Sequence, residues 1–317
     1  MNPTRTVVVR EARMLSPVIR EFELGAEDGT ALPRFSAGSH VVVHLDTGSR
    51  VHHNPYSLLG SPDEPVWRIA VRRHEASRGG SAFLHDRVQA GDRLRVGAPL
   101  NLFPLARLGR RHLLFAGGIG ITPILAHARE MARLRLDFEI HYGARSGEHA
   151  VYLEALEQLA PGRVHLYLDA LGQRPDYADL LADQPLGTHL YVCGPTPMID
   201  AALAAGRSLG WPASHLHSEQ FLAPAAGEVF TVEAARSKIQ FTVAADISLL
   251  DAMENAGLDP ACLCRGGACG QCESTVLACS GELDHRDLFL SEELKASGSR
   301  IMPCVSRVRG GHLVLDL

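Results

Sequence analysis

The sequence predicts a three-part chain: an antiparallel β-barrel, then a doubly wound parallel α/β sheet, then a smaller α+β piece. Three observations lead there. Residues 1 to about 105 hold short alternating apolar runs parted by Gly, Pro and Asp turns. Near Arg110 the pattern changes to short apolar runs alternating with helix-length stretches. Six of the seven cysteines fall after residue 260. A chain of 317 residues has room for two or three domains, at roughly 100–200 residues each.

The composition is that of a packed globular protein, 46% hydrophobic and 21% charged. A formal charge of −5 disfavours nonspecific nucleic-acid binding without naming a partner. Residues 1–20 lack a cationic stretch followed by a long apolar run, so no signal peptide is expected. No apolar stretch reaches the roughly 20 residues that span a bilayer, and a cytoplasmic location is the expectation. Clustered cysteines in such a chain point to metal or redox chemistry rather than to a disulfide framework.

In the first part, residues 6–10, 39–45 and 67–71 read as strands, a spacing that suggests a barrel. Tyr56-Ser57-Leu58 offers an aromatic face beside a small hydroxyl, though such a tripeptide also suits a strand packing into a barrel. Gly79 and Gly80 lead into a helix expected near Ser81, with Arg72, Arg73 and Arg78 close by. Free N–H groups at a helix start, with arginines near, make an anion site. The alternative is a glycine turn with solvated arginines.

In the second part, residues 113–116, 138–143, 164–168 and 189–194 read as strands and residues 121–134 as a helix. That alternation implies a parallel doubly wound sheet. Gly117, Gly118 and Gly120 lie between the first strand and the helix, followed by Thr122 and Pro123. Small residues there permit close approach of a pyrophosphate, although the spacing departs from G-x-G-x-x-G. Asp169 ends a strand, where it can accept from a ribose hydroxyl and repel an added phosphate, or cap a helix. Cys193-Gly194-Pro195 closes a later strand. Bounds of 1–108, 109–222 and 229–317 follow, with a Pro/Ala/Gly linker at 223–228.

The third part carries two strands (228–234 and 239–243), a helix (248–256) and a cysteine loop. Cys264, Cys269 and Cys272 have the spacing C-x4-C-x2-C, and Cys304 lies further on. This is the plant-type [2Fe–2S] ligand arrangement. Gly266, Gly267 and Gly270 let the loop bend and turn backbone N–H groups toward the sulfurs. A zinc site is the alternative, but tetrahedral zinc usually takes two close ligand pairs rather than a triplet and a single. Cys262 and Cys279 fall outside that set and read as buried small hydrophobes.

Residues 229–317 resemble a plant-type ferredoxin domain of the β-grasp kind. The whole chain resembles the phthalate dioxygenase reductase and vanillate O-demethylase reductase family, in which such a domain follows a module of the ferredoxin–NADP reductase superfamily. His285-Arg286-Asp287 and the run from Cys304 to Arg307 add to the match. The resemblance implies an FMN-binding barrel, an NADH-binding sheet and a [2Fe–2S] domain. Tyr56 would pack on the flavin ring, Ser57 would approach its N5, and Leu58 completes the motif. Arg78, Gly79, Gly80 and Ser81 would hold the FMN phosphate, assisted by Arg72 or Arg73. Asn54 stands where the family often carries an arginine.

For the nicotinamide, the resemblance brings Gly117, Gly118, Gly120 and Thr122 to the dinucleotide, with Cys193 at the ring and Gly194 and Pro195 making room for it. His217-Ser218-Glu219-Gln220-Phe221 resembles a His-x-Glu-x-Phe element whose Glu approaches the reacting edge and whose Phe shields the flavin. Cys264, Cys269, Cys272 and Cys304 would hold the cluster. The implied activity is that of a reductase component feeding a Rieske-type oxygenase or demethylase, a separate protein. The same cofactors can supply a cytochrome P450 or a diiron hydroxylase, and a redox sensor or a zinc-stapled binding module stay open as other classes.

Overall fold

A computed structural model of the chain describes residues 4–48, 50–75, 79–221 and 226–317. They fall into two compact units, Thr4–Phe221 and the described residues after it.

The first unit begins with an antiparallel sheet of β1 (Thr4–Ser16), β2 (Ile19–Ala26), β3 (Ser39–Asp46), β4 (Val51–Ser57), β5 (Trp67–Arg72), β6 (Arg93–Gly97) and β7 (Leu100–Asn101), with helix α1 (Gly80–Asp86) between β5 and β6. The order is β4-β3-β6-β1-β2-β5, with β7 on β3. Alternation does the folding: Val41, Val43 and Leu45 of β3 and Trp67, Ile69 and Val71 of β5 all point into one apolar core. Just past β4, the Leu59 N–H donates to Arg68 O at 3.0 Å, joining the two ends of the strand path and closing the curl.

Next come β8 (Arg111–Gly117), α2 (Ile121–Leu134), β9 (Phe138–Ala144), α3 (Leu153–Leu159), β10 (Val164–Leu168), α4 (Tyr177–Ala182), β11 (Thr188–Cys193), α5 (Thr196–Ser208) and β12 (Leu216–Glu219). The strands run β10-β9-β8-β11-β12, all parallel. The apolar run in β8 is unbroken because both faces are covered. Leu114 and Ala116 join a cluster with α2 and α3, while Leu113 and Phe115 join another with α4 and α5. Ile19, Leu59, Ala70 and Phe103 from the barrel side enter the first of these clusters, so barrel and sheet share a core.

The second unit is a mixed sheet, β14-β13-β19-β15-β17, and a separate pair, β16 with β18. Its strands are β13 (Phe230–Ala234), β14 (Ile239–Val243), β15 (Ser274–Cys279), β16 (Glu282–Asp284), β17 (Arg300–Ile301), β18 (Arg307–Arg309) and β19 (His312–Leu315). Helix α6 (Leu249–Asn255) packs on the sheet, its first turn capped by Ser248 Oγ, which accepts from Asp251 N at 3.0 Å. Helix α7 (Glu292–Ser297) lies near the end. Among the described residues no helix is long and apolar enough to cross a membrane.

Candidate functional site

The doubly wound sheet reverses its strand order between β8 and β11, and the crevice beyond their carboxyl ends is where such sheets take ligands. The turns after these two strands meet there. A Cβ on Gly117 would lie 2.6 Å from Met198 Sδ and 2.7 Å from Pro195 Cδ, and one on Gly120 would lie 2.2 Å from Cys193 O. Those two glycines are therefore used up in packing turn against turn. Gly118 differs: its φ is +54° and nothing stands within 4 Å of its missing Cβ, which leaves bare backbone for a ligand to approach. Thr122 is buried at the start of α2, its hydroxyl donating to Ile119 O at 3.0 Å.

Adjacent register in β11 and β12 sets Cys193 beside Glu219. Burial, with the Glu219 carboxylate adding to it, pushes the Cys193 thiol well up. Burial also pushes the Glu219 carboxyl up to about 8, with the Ser57 hydroxyl pulling it slightly back. Ser57 and Glu219 are thus neighbours, and Ser57 Oγ and Glu219 Oε2 are both sealed from solvent without a hydrogen-bond partner among the described residues. Buried polar atoms of this kind mark a place for a polar ligand. A flavin ring, with acceptor nitrogens and donor N–H groups along one edge, fits them.

Tyr56 lies next to Ser57 on β4, its hydroxyl accepting from Asn54 Nδ2 at 3.1 Å and pushed up to about 12 by burial. Leu58 is buried in the barrel core and its N–H donates to Ser39 O at 2.8 Å. Phe221 is 45% exposed at the end of the unit, an open aromatic face suited to covering a ring.

Of the expected phosphate loop, Arg78 lies outside the described residues. Gly79 has φ 122° and leads into α1. The space over Gly80 is filled by Asn54, whose Nδ2 would sit 2.3 Å from an added Cβ. Asn54 therefore links Tyr56 to the glycine turn, a role that no pattern in the sequence announced. Arg73 is drawn into an ion pair with Asp86, which leaves the exposed Arg72 as the better placed of the two. Ser81 Oγ accepts from His74 N at 3.3 Å. Asp169 is exposed and is the first residue inside a short turn whose N-cap is Leu168, so it caps nothing there.

In the second unit the four expected sulfurs converge. The Cys264 thiol is pulled down to about 5, first by the Cys269 thiol beside it and then by the N–H groups of Gly266, Ala268 and Cys269, against the effect of burial. Cys272 is lowered mainly by Cys304, and both also sense Cys264. The Gly266 N–H donates to Cys264 Sγ at 3.3 Å, while Gly267 and Gln271 direct theirs at Cys304 and Cys269. Four sulfurs ringed by N–H donors suit an anionic iron–sulfur cluster. Leu250, Leu290, Met302 and Val305 pack around Cys272 and Cys304. Cys262 and Cys279 are half-buried rather than fully buried as expected.

The loop is braced from two sides. Gly267 has φ +74°, and a Cβ there would lie 2.7 Å from Val305 Cγ2 and 3.2 Å from Asp287 Cα. Asp287, 3% exposed, accepts from Leu290 N at 2.8 Å and from Ser306 Oγ at 3.1 Å, and Leu288 N donates to Gly267 O at 3.0 Å. The His285–Asp287 segment and the Cys304–Arg307 run thus meet through Asp287 and Ser306. Arg265 takes φ 53° and reaches Asp251 at 3.1 Å and Glu254, tying the loop to α6.

Comparison with known proteins agrees with this geometry. Residues 101–216 match the family described as dimethylamine monooxygenase subunit DmmA-like, N-terminal domain, and residues 232–309 match the 2Fe-2S iron-sulfur cluster binding domain. The chain is 47% identical to the heme-dependent oxidative N-demethylase beta subunit of Ectopseudomonas mendocina, over 100% of both chains. It is 42% identical to the vanillate O-demethylase oxidoreductase of Pseudomonas putida, over 94% of this chain and 95% of that one. Among solved structures, phthalate dioxygenase reductase superposes with a TM-score of 0.86 at 31% identity, covering 99% of this chain and 98% of the other.

Proposed function

Because the chain belongs to the family of oxygenase reductase subunits that includes vanillate O-demethylase oxidoreductase and phthalate dioxygenase reductase, we propose that it draws electrons from NADH and delivers them singly to a terminal oxygenase that demethylates or monooxygenates its substrate. Residues 1–108 hold FMN, 109–222 NADH and 229–317 the cluster, with 223–228 as linker, and the protein works in the cytoplasm. The observation that carries this reading is the pairing, in one chain, of the Ser57–Cys193–Glu219 cluster with a ring of four cysteine sulfurs. When bound, FMN would exchange the electron pair of one hydride for two single electrons, and the [2Fe–2S] cluster would carry them one at a time.

The chain's own residues prepare the meeting point. With its carboxyl held up to about 8, Glu219 keeps its proton at neutral pH, and the Cys193 thiol keeps its own. The site therefore presents neutral groups to a ring that gains negative charge on reduction, where a bare carboxylate would oppose that gain. Tyr56 and Phe221 offer aromatic faces for the ring, with Asn54 orienting the first. Gly118 would offer backbone to the dinucleotide, Gly194 and Pro195 would shape the turn beside it, and Thr122 would lie near the nicotinamide. Gly79, Gly80, Ser81, Arg72 and Arg78 take the FMN phosphate. Cys264, Cys269, Cys272 and Cys304 hold the irons.

Asp169, exposed at the end of β10, favours NADH by accepting from a ribose hydroxyl and repelling an extra phosphate. Asp169→Ala narrows the ratio of kcat/KM for NADH over NADPH; an unchanged ratio removes Asp169 from the argument.

For the acceptor we favour a Rieske-type oxygenase. A second reading, a haem-dependent demethylase, draws on the name carried by the relative from Ectopseudomonas mendocina. Reduction rates of the two oxygenase types by the purified protein separate these readings. The decisive test of the electron path is the visible spectrum recorded anaerobically before and after NADH. Bleaching of both flavin and iron–sulfur bands is expected. A protein that stays colourless after reconstitution with flavin, iron and sulfide overturns the proposal.

A further inference from the structure

Away from the electron path, on the face of the parallel sheet that packs against α4 and α5, three side chains converge on one point. His141 of β9 and His165 of β10 are direct register partners, and Glu139 sits two residues before His141 on the same face. His165 Nε2 is 2.7 Å and His141 Nε2 is 3.5 Å from the same oxygen, Glu139 Oε1. One ligand atom from each residue lies within 4.8 Å of the others. Tetrahedral zinc with bonds of about 2.0–2.1 Å holds its ligand atoms roughly 3.3 Å apart, which falls between the two observed distances.

The surroundings favour a cation over a simple ion pair. The side chain of His141 is 1% exposed, and its Nε2 makes no hydrogen bond among the described residues. Its other nitrogen, Nδ1, lies 3.0 Å from Tyr167 Oη. If Nδ1 carries the proton and donates to that hydroxyl, Nε2 is left with a free lone pair facing Glu139, the tautomer that metal ligation needs. Arg111 holds the opposite oxygen, Glu139 Oε2, as outer groups hold a ligating carboxylate. Phe115 stacks on the His141 ring at 4.6 Å and fixes its plane. His165, with its side chain 45% exposed, and to a lesser degree Glu139, at 19%, open the site to solvent.

We propose that Glu139, His141 and His165 bind one divalent zinc ion, with water at the fourth position, and so staple the edge strand β10 to β9. Two imidazoles and a carboxylate suit zinc by ligand type and number. No residue of the Ser57–Cys193–Glu219 cluster takes part.

The test uses the full-length protein with flavin and cluster in place, freed of loose metal by a weak chelator and titrated with zinc chloride in a calorimeter. One saturable zinc site per chain is expected, together with a rise in Tm and an unchanged iron content. His165→Ala and Glu139→Gln lose both the saturable heat and the Tm rise, and Tyr167→Phe weakens binding by roughly 10–100-fold. NADH-dependent reduction of an artificial acceptor stays the same in all three variants. Absence of saturable binding in the unaltered protein overturns the proposal, and so does full affinity in both His165→Ala and Glu139→Gln.

Discussion

Gly118 and Gly120 stand two residues apart in one turn, and alanine at each has a different consequence. At Gly120 the new Cβ meets Cys193 O at 2.2 Å and Cys193 C at 2.5 Å. Both are backbone atoms, so relief requires moving the Cys193–Pro195 turn itself. Overpacking of that kind costs about 1–3 kcal/mol or more, and it shifts the thiol beside Glu219. At Gly118 the Cβ meets nothing within 4 Å, and the left-handed backbone alone costs about 1–2 kcal/mol. We expect Gly120→Ala to lower both Tm and kcat for NADH-dependent reduction. Gly118→Ala chiefly raises KM for NADH, because it places a methyl group where backbone is otherwise bare. Paired measurements of Tm, kcat and KM check this, and identical profiles for the two variants refute it.

At the scale of elements, β11, β12 and the turn before β12 carry a ladder of rings: His189 stacks on His215 at 4.2 Å and on His217 at 5.2 Å, and Tyr191 on His217 at 4.4 Å. Burial lowers His189, His217 and His141 to about 4 and His127 to about 3. A histidine held below its ordinary 6.5 binds fewer protons folded than unfolded, so stability is lost as pH falls through the window between 6.5 and about 4. Glu219 works the other way. Its folded value of about 8 against 4.5 means that the folded state keeps the extra proton, and stability falls as pH rises between those values. With His40, also lowered to about 4 by burial, five histidines of the first unit outweigh one carboxyl below 6.5, and between 6.5 and 8 the carboxyl sets the trend in that unit. With the cluster in place, so that Cys264 and its fellow ligands do not titrate, the flavin-free first unit should therefore show a Tm maximum near pH 6.5, with a steep acid side and a shallow decline toward pH 8. Glu219→Gln should flatten that decline, and a profile without an acid-side fall would contradict the argument.

The same elements show what the sequence disclosed and why. Helix α2 was legible residue for residue, 121–134, because a glycine turn starts it and an apolar face runs along it. β8 was legible as an apolar run because helices cover both its faces. Only residues 6–10 of the 13-residue β1 were legible, since just Val7 and Val9 alternate inward before the strand turns polar and is held by pairing with β2. β17, two residues long, has no pattern to read at all. At the site, the cysteine spacing was explicit in the chain. The meeting of Ser57 with Glu219 depends on strands distant in sequence, and Asn54 was visible only as a missing arginine. Between Arg72 and Arg73 the sequence offers no choice as the assisting arginine, because the ion-pair partner of Arg73, Asp86, lies 13 residues away on α1.

For the whole molecule, the two compact units keep separate cores: residues up to Phe221 pack in three clusters and those from Phe230 onward in two others. Separate cores mean that chemistry lost in one unit need not unfold the other. Cys269 is the place to test this. It is half-buried, whereas Cys272 and Cys304 belong to the apolar packing around the loop. Cys269→Ser removes one thiolate ligand and leaves that packing intact, so the cluster is lost while the sheet and α6 stay folded. NADH should still bleach the flavin band at an unaltered rate, and two-electron acceptors should still be reduced. Delivery to the terminal oxygenase should fall to background, because the route to that partner runs through the cluster. Simultaneous loss of flavin bleaching would mean that the cysteine loop supports the first unit as well, and the division of labour argued here would fail.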